Sequence, residues 1–535
     1  MKDVIYILLA TALTATASTL AGNALLQSLR VKLYRSESLF LGFVLGSGCL
    51  AAVAFAMAIA GLARRGAFFI AAALIIGLSL WRGGHKIPAE DPDPPTPRWW
   101  KLAFWAVYLV FGSIYLSIAL APEASLDGNS HYLVQVARWT HQFGFAPGEL
   151  HLSAPGGVDM LFLFAFTIGH HSAVAMVELL FTLLLPLGIL SYARRLGEPR
   201  AGVLAALLFF ASPAVGFTGN IAAPDVAVAC VAFGCFYLVD LAFTDRRWRL
   251  LGPLAGLLGF LAWAAAPWLA RECNPPFPHP NTWYPRMLFD LAVHGARAES
   301  MLGAVFLMLP LTLLALVTFR QAAGWRLWAA ALFFSAPGLW AITKGALETR
   351  ALIPALPFFS LVLALTLVEF RMAAPAVLIA HAIMGWPSVV ATYADRKASY
   401  VHGSEWPAAL RIEHEDHYLL RALPGFYTGI LIEKMIPDDA RILTLSPFQQ
   451  IYHTRVLVDP SSAEGRRLQE VFQAAMLDGS VPLQRSAIDA LKNAGVGWVI
   501  VKFDEPGAKD LLVRPAEWDF EVRSIEEGYL VFQLE

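Results

Sequence analysis

Apolar residues fill this chain in runs of about 20, the length at which an α-helix crosses the hydrocarbon core of a bilayer. Such runs near 4–22, 39–62, 67–82, 100–121, 171–193, 201–219, 224–243, 250–268, 300–319, 327–344, 350–370 and 373–392 predict about twelve crossings. Two stretches depart from that rhythm. Between 122 and 157, Tyr132, Leu133, Val136, Trp139 and Phe143 recur at helical spacing opposite Gln135, Arg138 and Gln142. The pattern predicts a helix lying in the membrane interface, with Trp139 at headgroup depth. The apolar run 158–169 is too short to span alone, and Gly169-His170-His171-Ser172 predicts a break between it and the helix that follows.

After about residue 393 the pattern changes: charges rise, apolar runs shorten, and strands alternate with helices. Strands are expected at 440–446 and 496–503, helices at 463–477 and 486–494, and a closing hairpin of 518–524 and 529–534 around Glu526-Glu527-Gly528. The expected fold is a polytopic α-helical membrane protein with a small soluble α/β domain at its C-terminal end. Its parts are N-terminal membrane helices in 1–99, a transmembrane core in 100–393 carrying the outer loop 122–157, and the α/β domain in 394–535.

Composition agrees. With 57% hydrophobic and 15% charged residues over 535 positions, and mean hydropathy +0.57, this is no water-soluble globule. A net charge of −1 supplies no basic face for nucleic acid. Cys49, Cys230, Cys235 and Cys273 are too few and too scattered for a disulfide framework, and Cys230 and Cys235, inside one apolar run, read as small core residues. The N-terminal run from Val4 has no clear small-x-small cleavage site and reads as an uncleaved first span.

Charge also sets orientation. Arg194, Arg195 and Arg200 fill one loop, Arg246, Arg247 and Arg249 the next on that side, followed by Arg320 with Arg326, then Arg371. The alternate loops carry Asp127, Asp225, the Pro-rich stretch 273–285 and Glu348. The basic face is then cytoplasmic, and the other face, with the C-terminal domain, is periplasmic or extracellular. Arg64 and Arg65 would lie on that outer face.

Candidate chemistry concentrates there. Asp127 reads locally either as the N-cap of a helix starting near Ser130 or as a general base that deprotonates an acceptor hydroxyl or amine. Asp225 opens a span after Pro224, where the helix dipole favours an acid; two acids at outer helix ends could converge on one site. Arg271, Arg286, Lys344 and Arg350 are cations at headgroup level, suited to a lipid phosphate or to snorkelling as anchors. Glu348-Thr349-Arg350 pairs an acid with a base at a helix mouth. His131, His141, His151, His170, His171 and His279 lie on or near the outer face without zinc-like spacing, and a hydrated divalent cation held by Asp127 and a partner is left open.

These strings together resemble the GT-C superfamily of polytopic glycosyltransferases, of the aminoarabinose transferase and protein O-mannosyltransferase kind. Asp127-Gly128-Asn129-Ser130-His131-Tyr132-Leu133 is similar to the family's Asp-x-Leu-x-Tyr-His-Leu, with Asn129 in place of Leu and the Tyr/His order exchanged. Pro155-Gly156-Gly157-Val158-Asp159-Met160-Leu161 resembles its Pro-x-x-x-Glu-x-Leu step. Pro224-Asp225-Val226, Pro267-Trp268-Leu269-Ala270-Arg271 with Asn274-Pro275, and Thr349-Arg350-Ala351-Leu352-Ile353-Pro354 resemble three further motifs. Ile436-Pro437-Asp438-Asp439-Ala440-Arg441 fits the start of the outer domain. The resemblance covers 100–535.

It implies a bacterial inner-membrane enzyme that moves a sugar from a polyprenyl-phosphate donor to a lipid, glycan or protein acceptor by inverting displacement. Asp127 and Asp225 would be the catalytic acids, and Arg271, Lys344, Glu348, Arg350, Asp159 and Arg138 would bind substrate. A cell-envelope glycan polymerase or ligase and a multi-span transporter are the competing readings; a transporter would bury ionisable groups near the membrane midplane.

Overall fold

The computed structural model describes the chain apart from residues 1, 30–32, 87–94, 146–154, 245–247, 274–286, 296–299, 314–321, 344–348, 371–372, 396–397, 399, 447, 450–451, 453–455, 459–461, 527 and 535. The chain divides into two compact units. The first holds Met1–Glu123, Val136–Asn274 and His279–Ile412; the second holds Ala124–Gln135 and Glu413–Glu535.

The first unit is helical. Its main elements are α1 (Lys2–Ser28), α2 (Arg35–Ile59), α3 (Arg65–Trp81), α4 (Arg98–Leu120), α5 (Leu133–His141, begun in the second unit), α6 (Gly157–Arg195), α7 (Pro199–Phe210), α8 (Asp225–Thr244), α9 (Leu251–Cys273) and α10 (Ala322–Thr343). They are followed by the 3₁₀ turn Thr349–Ala355, which runs into α11 (Leu356–Val368), and by α12 (Ala373–Met384) and α13 (Pro387–Tyr393). Seven helical stretches are long and apolar enough to cross a membrane among the described residues: α1, α2, α4, α6, α8, α9 with its leading turn, and Thr349–Val368. The pair α12 and α13 is bent by 78° and gives an eighth if counted as one span. The apolar runs expected near 67–82 and 201–219 fold as the shorter helices α3 and α7; of the run near 300–319, Ala304–Leu313 is an apolar helix, and residues 314–319 lie outside the described residues.

Close backbone approach binds the first two helices. A Cβ on Gly22 would sit 1.8 Å from the Gly42 carbonyl oxygen, and one on Gly46 1.7 Å from the Ser18 carbonyl oxygen. Small residues let helices meet at backbone distance, which matters in lipid, where apolar side chains gain nothing by leaving it. α6 packs against α1, α2, α4 and α7 and is the spine of the unit. His170 interrupts it at φ 60°, ψ −159°, so 157–169 is a buried lead-in to the long arm.

Two layers of charge mark the ends of this bundle. At one end Arg195 pairs with buried Glu37, whose carboxylate also accepts from the Tyr237 hydroxyl at 2.6 Å and the Tyr34 amide at 2.9 Å. Arg326 pairs with Asp240 at the same end. At the other end lie Asp225, Trp268 and Arg350. Along α8, Asp225 and Asp240 are about 22 Å apart at 1.5 Å rise per residue, so the layers bracket roughly three-quarters of the ~30 Å hydrocarbon core of a bilayer. Arg195 and Arg326 are thus partners of acids within the bundle, a role that loop-charge counting does not distinguish from anchoring.

One expectation is revised. Trp139 is 1% exposed and packs edge-on to Phe145 at 5.3 Å, so its ring is covered by protein and not presented to lipid headgroups. Arg64 stacks over Phe143 at 4.2 Å and Arg65 over Tyr6 at 3.6 Å, while the Ala63 amide donates to the Phe143 carbonyl. This turn is therefore tied to the end of α5.

The second unit is α/β. Helices α14 (Glu415–Ala422) and α15 (Phe426–Met435) lead to strand β1 (Arg441–Thr444), and the short β2 (Val456–Leu457) follows. Helices α16 (Ala463–Asp478) and α17 (Val481–Asn493) precede β3 (Val496–Lys502), and β4 (Phe520–Glu526) and β5 (Tyr529–Leu534) end the chain. The sheet order is β2-β1-β3-β5-β4, with β1 parallel to β2 and β3, and β5 antiparallel to β3 and β4. The closing hairpin therefore forms one edge, turning at Gly528 with φ 79°.

α16 starts where the Ser462 hydroxyl accepts from the Gly465 amide at 2.9 Å, satisfying one of the free donors of the first turn. α17 starts earlier than the expected 486, because Pro482 favours the first helical turn. Fully buried Phe472 packs on Trp518 and Phe520, with Leu530 and Phe532 in the same core. Phe472→Ala should cost about 3–5 kcal/mol. Amide exchange in β3, followed in the full chain, should accelerate by ~100-fold or more. Unchanged protection would mean that the cavity collapses without cost.

Candidate functional site

Buried ionisable residues of the first unit meet at the start of α8. Pro224 occupies the N-cap position and has no side-chain acceptor for the free amides of the first turn. Glu178, from the middle of α6, takes that role: one carboxylate oxygen accepts from the Val226 amide at 2.7 Å and the Ala227 amide at 3.0 Å. A negative charge there also meets the positive end of the helix dipole. The other carboxylate oxygen of Glu178 is buried with no hydrogen-bond partner among the described residues.

Asp225, the first residue of α8, is fully buried. One oxygen accepts from the Trp268 indole at 2.9 Å and the other from the Arg350 guanidinium at 2.7 Å. Arg350 is 3% exposed, on the 3₁₀ turn that opens the last long span, and its neighbour Thr349 donates to the Ser300 carbonyl at 2.8 Å. The loop ahead of α8 is tied down too, as Glu123 accepts from the Ala222 amide at 2.8 Å. Burying an ion pair is costly unless the geometry is good and further hydrogen bonds satisfy it. Here Trp268 supplies one, and the result is a fixed guanidinium at a helix end.

Asp127 belongs to the second unit. Its helix starts one residue earlier than the acid, at Leu126. Ser125 is the cap: its hydroxyl accepts from the Gly128 amide at 3.1 Å, and its carbonyl from the Asn129 amide at 3.1 Å and the Asn129 side chain at 2.8 Å. Asp127 has helical φ and ψ and makes no capping hydrogen bond. The N-cap reading of this acid, with a helix starting near Ser130, is therefore corrected: Ser125 leaves the carboxylate unused by its own helix start. Gly128–Tyr132 forms a wide π turn, a local irregularity that recurs at functional sites. His131 packs edge-on to Tyr132 at 5.3 Å.

The other expected residues divide. Asp159 accepts from the Gly156 amide at 2.7 Å, so it closes the start of its own helix. That start is also fixed by Trp263, which donates to the Pro155 carbonyl at 2.8 Å, and by Gly157, where a Cβ would come within 2.7 Å of Phe260. Arg138 is exposed on α5. Lys344, Glu348, Arg286 and the Pro-rich loop 274–280 lie outside the described residues. Of Arg271 only the backbone, in the last turn of α9, is described. The structure thus brings together Asp225 and Arg350 of the expected set. Among the described residues no three His, Cys, Asp or Glu side chains gather as a metal site.

The chain shows a weak likeness to solved structures. It is similar to crystal structures of ArnT from Cupriavidus metallidurans: one bound to undecaprenyl phosphate, at 13% identity and TM-score 0.40, covering 82% of this chain and 98% of that one. The other is in the apo state, at 13% identity and TM-score 0.39, covering 81% and 97%. At this level the likeness fixes no residue correspondence. No family profile and no curated protein matches the chain.

Several residues of the cluster escape a reading by motif. Glu178 stands within an otherwise apolar run, and an ionisable residue inside a span is itself a signal. Glu123 lies at the end of α4 and gives no such sign. Arg411, at φ 55°, donates to the Leu120 carbonyl at 3.2 Å and the Ser172 hydroxyl at 3.1 Å, closing the C-terminal end of α4 from 291 residues away.

Proposed function

We propose that this chain is a membrane glycosyltransferase that moves a sugar from a polyprenyl-phosphate donor to an acceptor on the outer face of a bacterial inner membrane. In this reading the chain makes about twelve crossings and its C-terminal domain is periplasmic. The observation that carries it is the junction of Asp225, Trp268 and Arg350. Three segments far apart in sequence, each resembling a GT-C motif, meet there in one buried, hydrogen-bonded cluster.

The chemistry asks for this. As the sugar leaves, the electron pair of its anomeric C–O bond passes to the phosphate, and a cation fixed at headgroup depth stabilises that charge without reorganising. Asp225 is assigned to holding Arg350 in place, since both its oxygens are engaged. Asp127 is assigned as the base: it takes the acceptor proton as the acceptor atom bonds to the anomeric carbon with inversion. Arg271, Lys344 and Glu348 complete the proposed donor-binding set. Arg138 adds charge on α5, and Asp159 contributes by fixing the start of α6.

Transport is favoured by one observation: Glu178, Asp225 and Arg350 are buried ionisable groups inside the bundle, as carriers have. Their positions argue the other way. Asp225 and Arg350 open spans and Trp268 lies near the end of one, so these three sit at helix ends, and Glu178, although inside α6, is spent on capping the start of α8. The test is purified full-length protein given a panel of polyprenyl-phosphate sugars, with the same sugars as nucleotide donors. Release of polyprenyl phosphate coupled to glycosylated acceptor, from lipid donors alone, is expected. Substrate movement into proteoliposomes without sugar transfer would establish the carrier reading instead.

A further inference from the structure

A cavity of about 420 Å³ opens at the basic end of the first unit, the end that holds the Glu37–Arg195 pair. That volume is within the ~300–1,000 Å³ usual for ligand pockets. α2, α4, α6 and α7 all contribute to its walls. Arg35, Lys101 and Arg194 converge on it, with the hydroxyls of Ser36 and Thr96 among them. Arg194 is oriented by donating twice to Thr96, at 3.2 and 3.0 Å, and Ser36 is bonded to Ser191 at 2.9 Å. The rest of the wall is apolar: Leu39, Phe104, Trp105 and Leu190 follow helical spacing from the cations along their own helices.

Arg35 and Lys101 are unlike their neighbours. Arg195 is paired with the buried Glu37 carboxylate, and Arg326 with the half-buried Asp240 carboxylate. Arg35 and Lys101 are exposed and have no carboxylate partner among the described residues. A concave site with a cationic, hydroxyl-bearing mouth and an aliphatic and aromatic wall matches one kind of molecule, with an anionic phosphate at one end and a hydrocarbon chain at the other. We propose that this pocket binds an anionic phospholipid, its phosphate at Arg35 and Lys101 and an acyl chain along Phe104 and Trp105. A zwitterionic headgroup fits less well, because its ammonium would face the same two cations. The site is separate from the Asp225–Arg350 cluster and does not depend on the proposed transfer reaction.

The test is delipidated full-length protein in detergent, titrated with phosphatidylglycerol or phosphatidylcholine, with retained lipid counted by native mass spectrometry. One phosphatidylglycerol per chain is expected, bound at least tenfold tighter than phosphatidylcholine. Each cation removed should weaken it about fivefold, so Arg35→Gln/Lys101→Gln should lose ~25-fold. Arg200→Ala, an exposed arginine at the same end but outside the pocket, should change nothing. If the double variant is not monodisperse, Lys101→Gln alone must still show its fivefold loss. Equal retention of the two lipids, no loss in the pocket variants, or an equal loss in Arg200→Ala would overturn the proposal. Displacement of the lipid by equimolar inorganic phosphate would also overturn it, marking a site for a free anion.

Discussion

Asp127→Asn should reduce sugar transfer by about 100- to 10,000-fold, the range of a general base, while donor lipid binds as before. The substitution keeps the side chain's shape and removes its ability to accept a proton. Its structural cost should be small, because the helix start is held by Ser125 through the Gly128 amide. Had Asp127 been the cap, its loss would confound folding with catalysis; with Ser125 in that role the two separate. The measurement is single-turnover transfer with saturating donor, beside a binding titration of the same lipid. Wild-type turnover in the variant would remove Asp127 from the chemistry. Loss of lipid binding together with turnover would make it a binding residue.

Seven of the expected spans were legible because their signal is length and apolarity, which depend on no distant partner. The C-terminal hairpin was legible for a related reason: Glu526-Glu527-Gly528 between alternating strands specifies a tight turn locally. What the sequence could not show is what covers a face. The apolar stripe of α5 is the same whether lipid or Phe145 lies against Trp139. It could not show pairings across long separations either, such as Glu37 with Arg195 or Glu123 with Ala222. The cap was missed for a local reason. Ser125 and Asp127 are both good N-caps, and choosing between them needs the helix start, which boundary reading places only to within a few residues. β2, at two residues, is too short to leave a pattern.

Arg350→Met should be the most destabilising single substitution in the membrane core, by about 3–5 kcal/mol. It would leave Asp225 fully buried with, among the described residues, the Trp268 indole alone to satisfy it, and Glu178 within electrostatic range of the same acid. Removing one member of a buried pair strands the other's charge, whereas removing both together strands none. The double variant Asp225→Leu/Arg350→Met should therefore recover much of the stability lost in Arg350→Met, a coupling well outside additivity. Both are read as the temperature at which detergent-solubilised full-length protein loses monodispersity. The same double variant should remain inactive in transfer despite its recovered fold, because no fixed cation then faces the departing phosphate. A double variant both stable and fully active would reduce the pair to a packing element and take Arg350 out of the proposed site. If it were no more stable than Arg350→Met, the loss would lie in how Arg350 packs rather than in a stranded charge at Asp225.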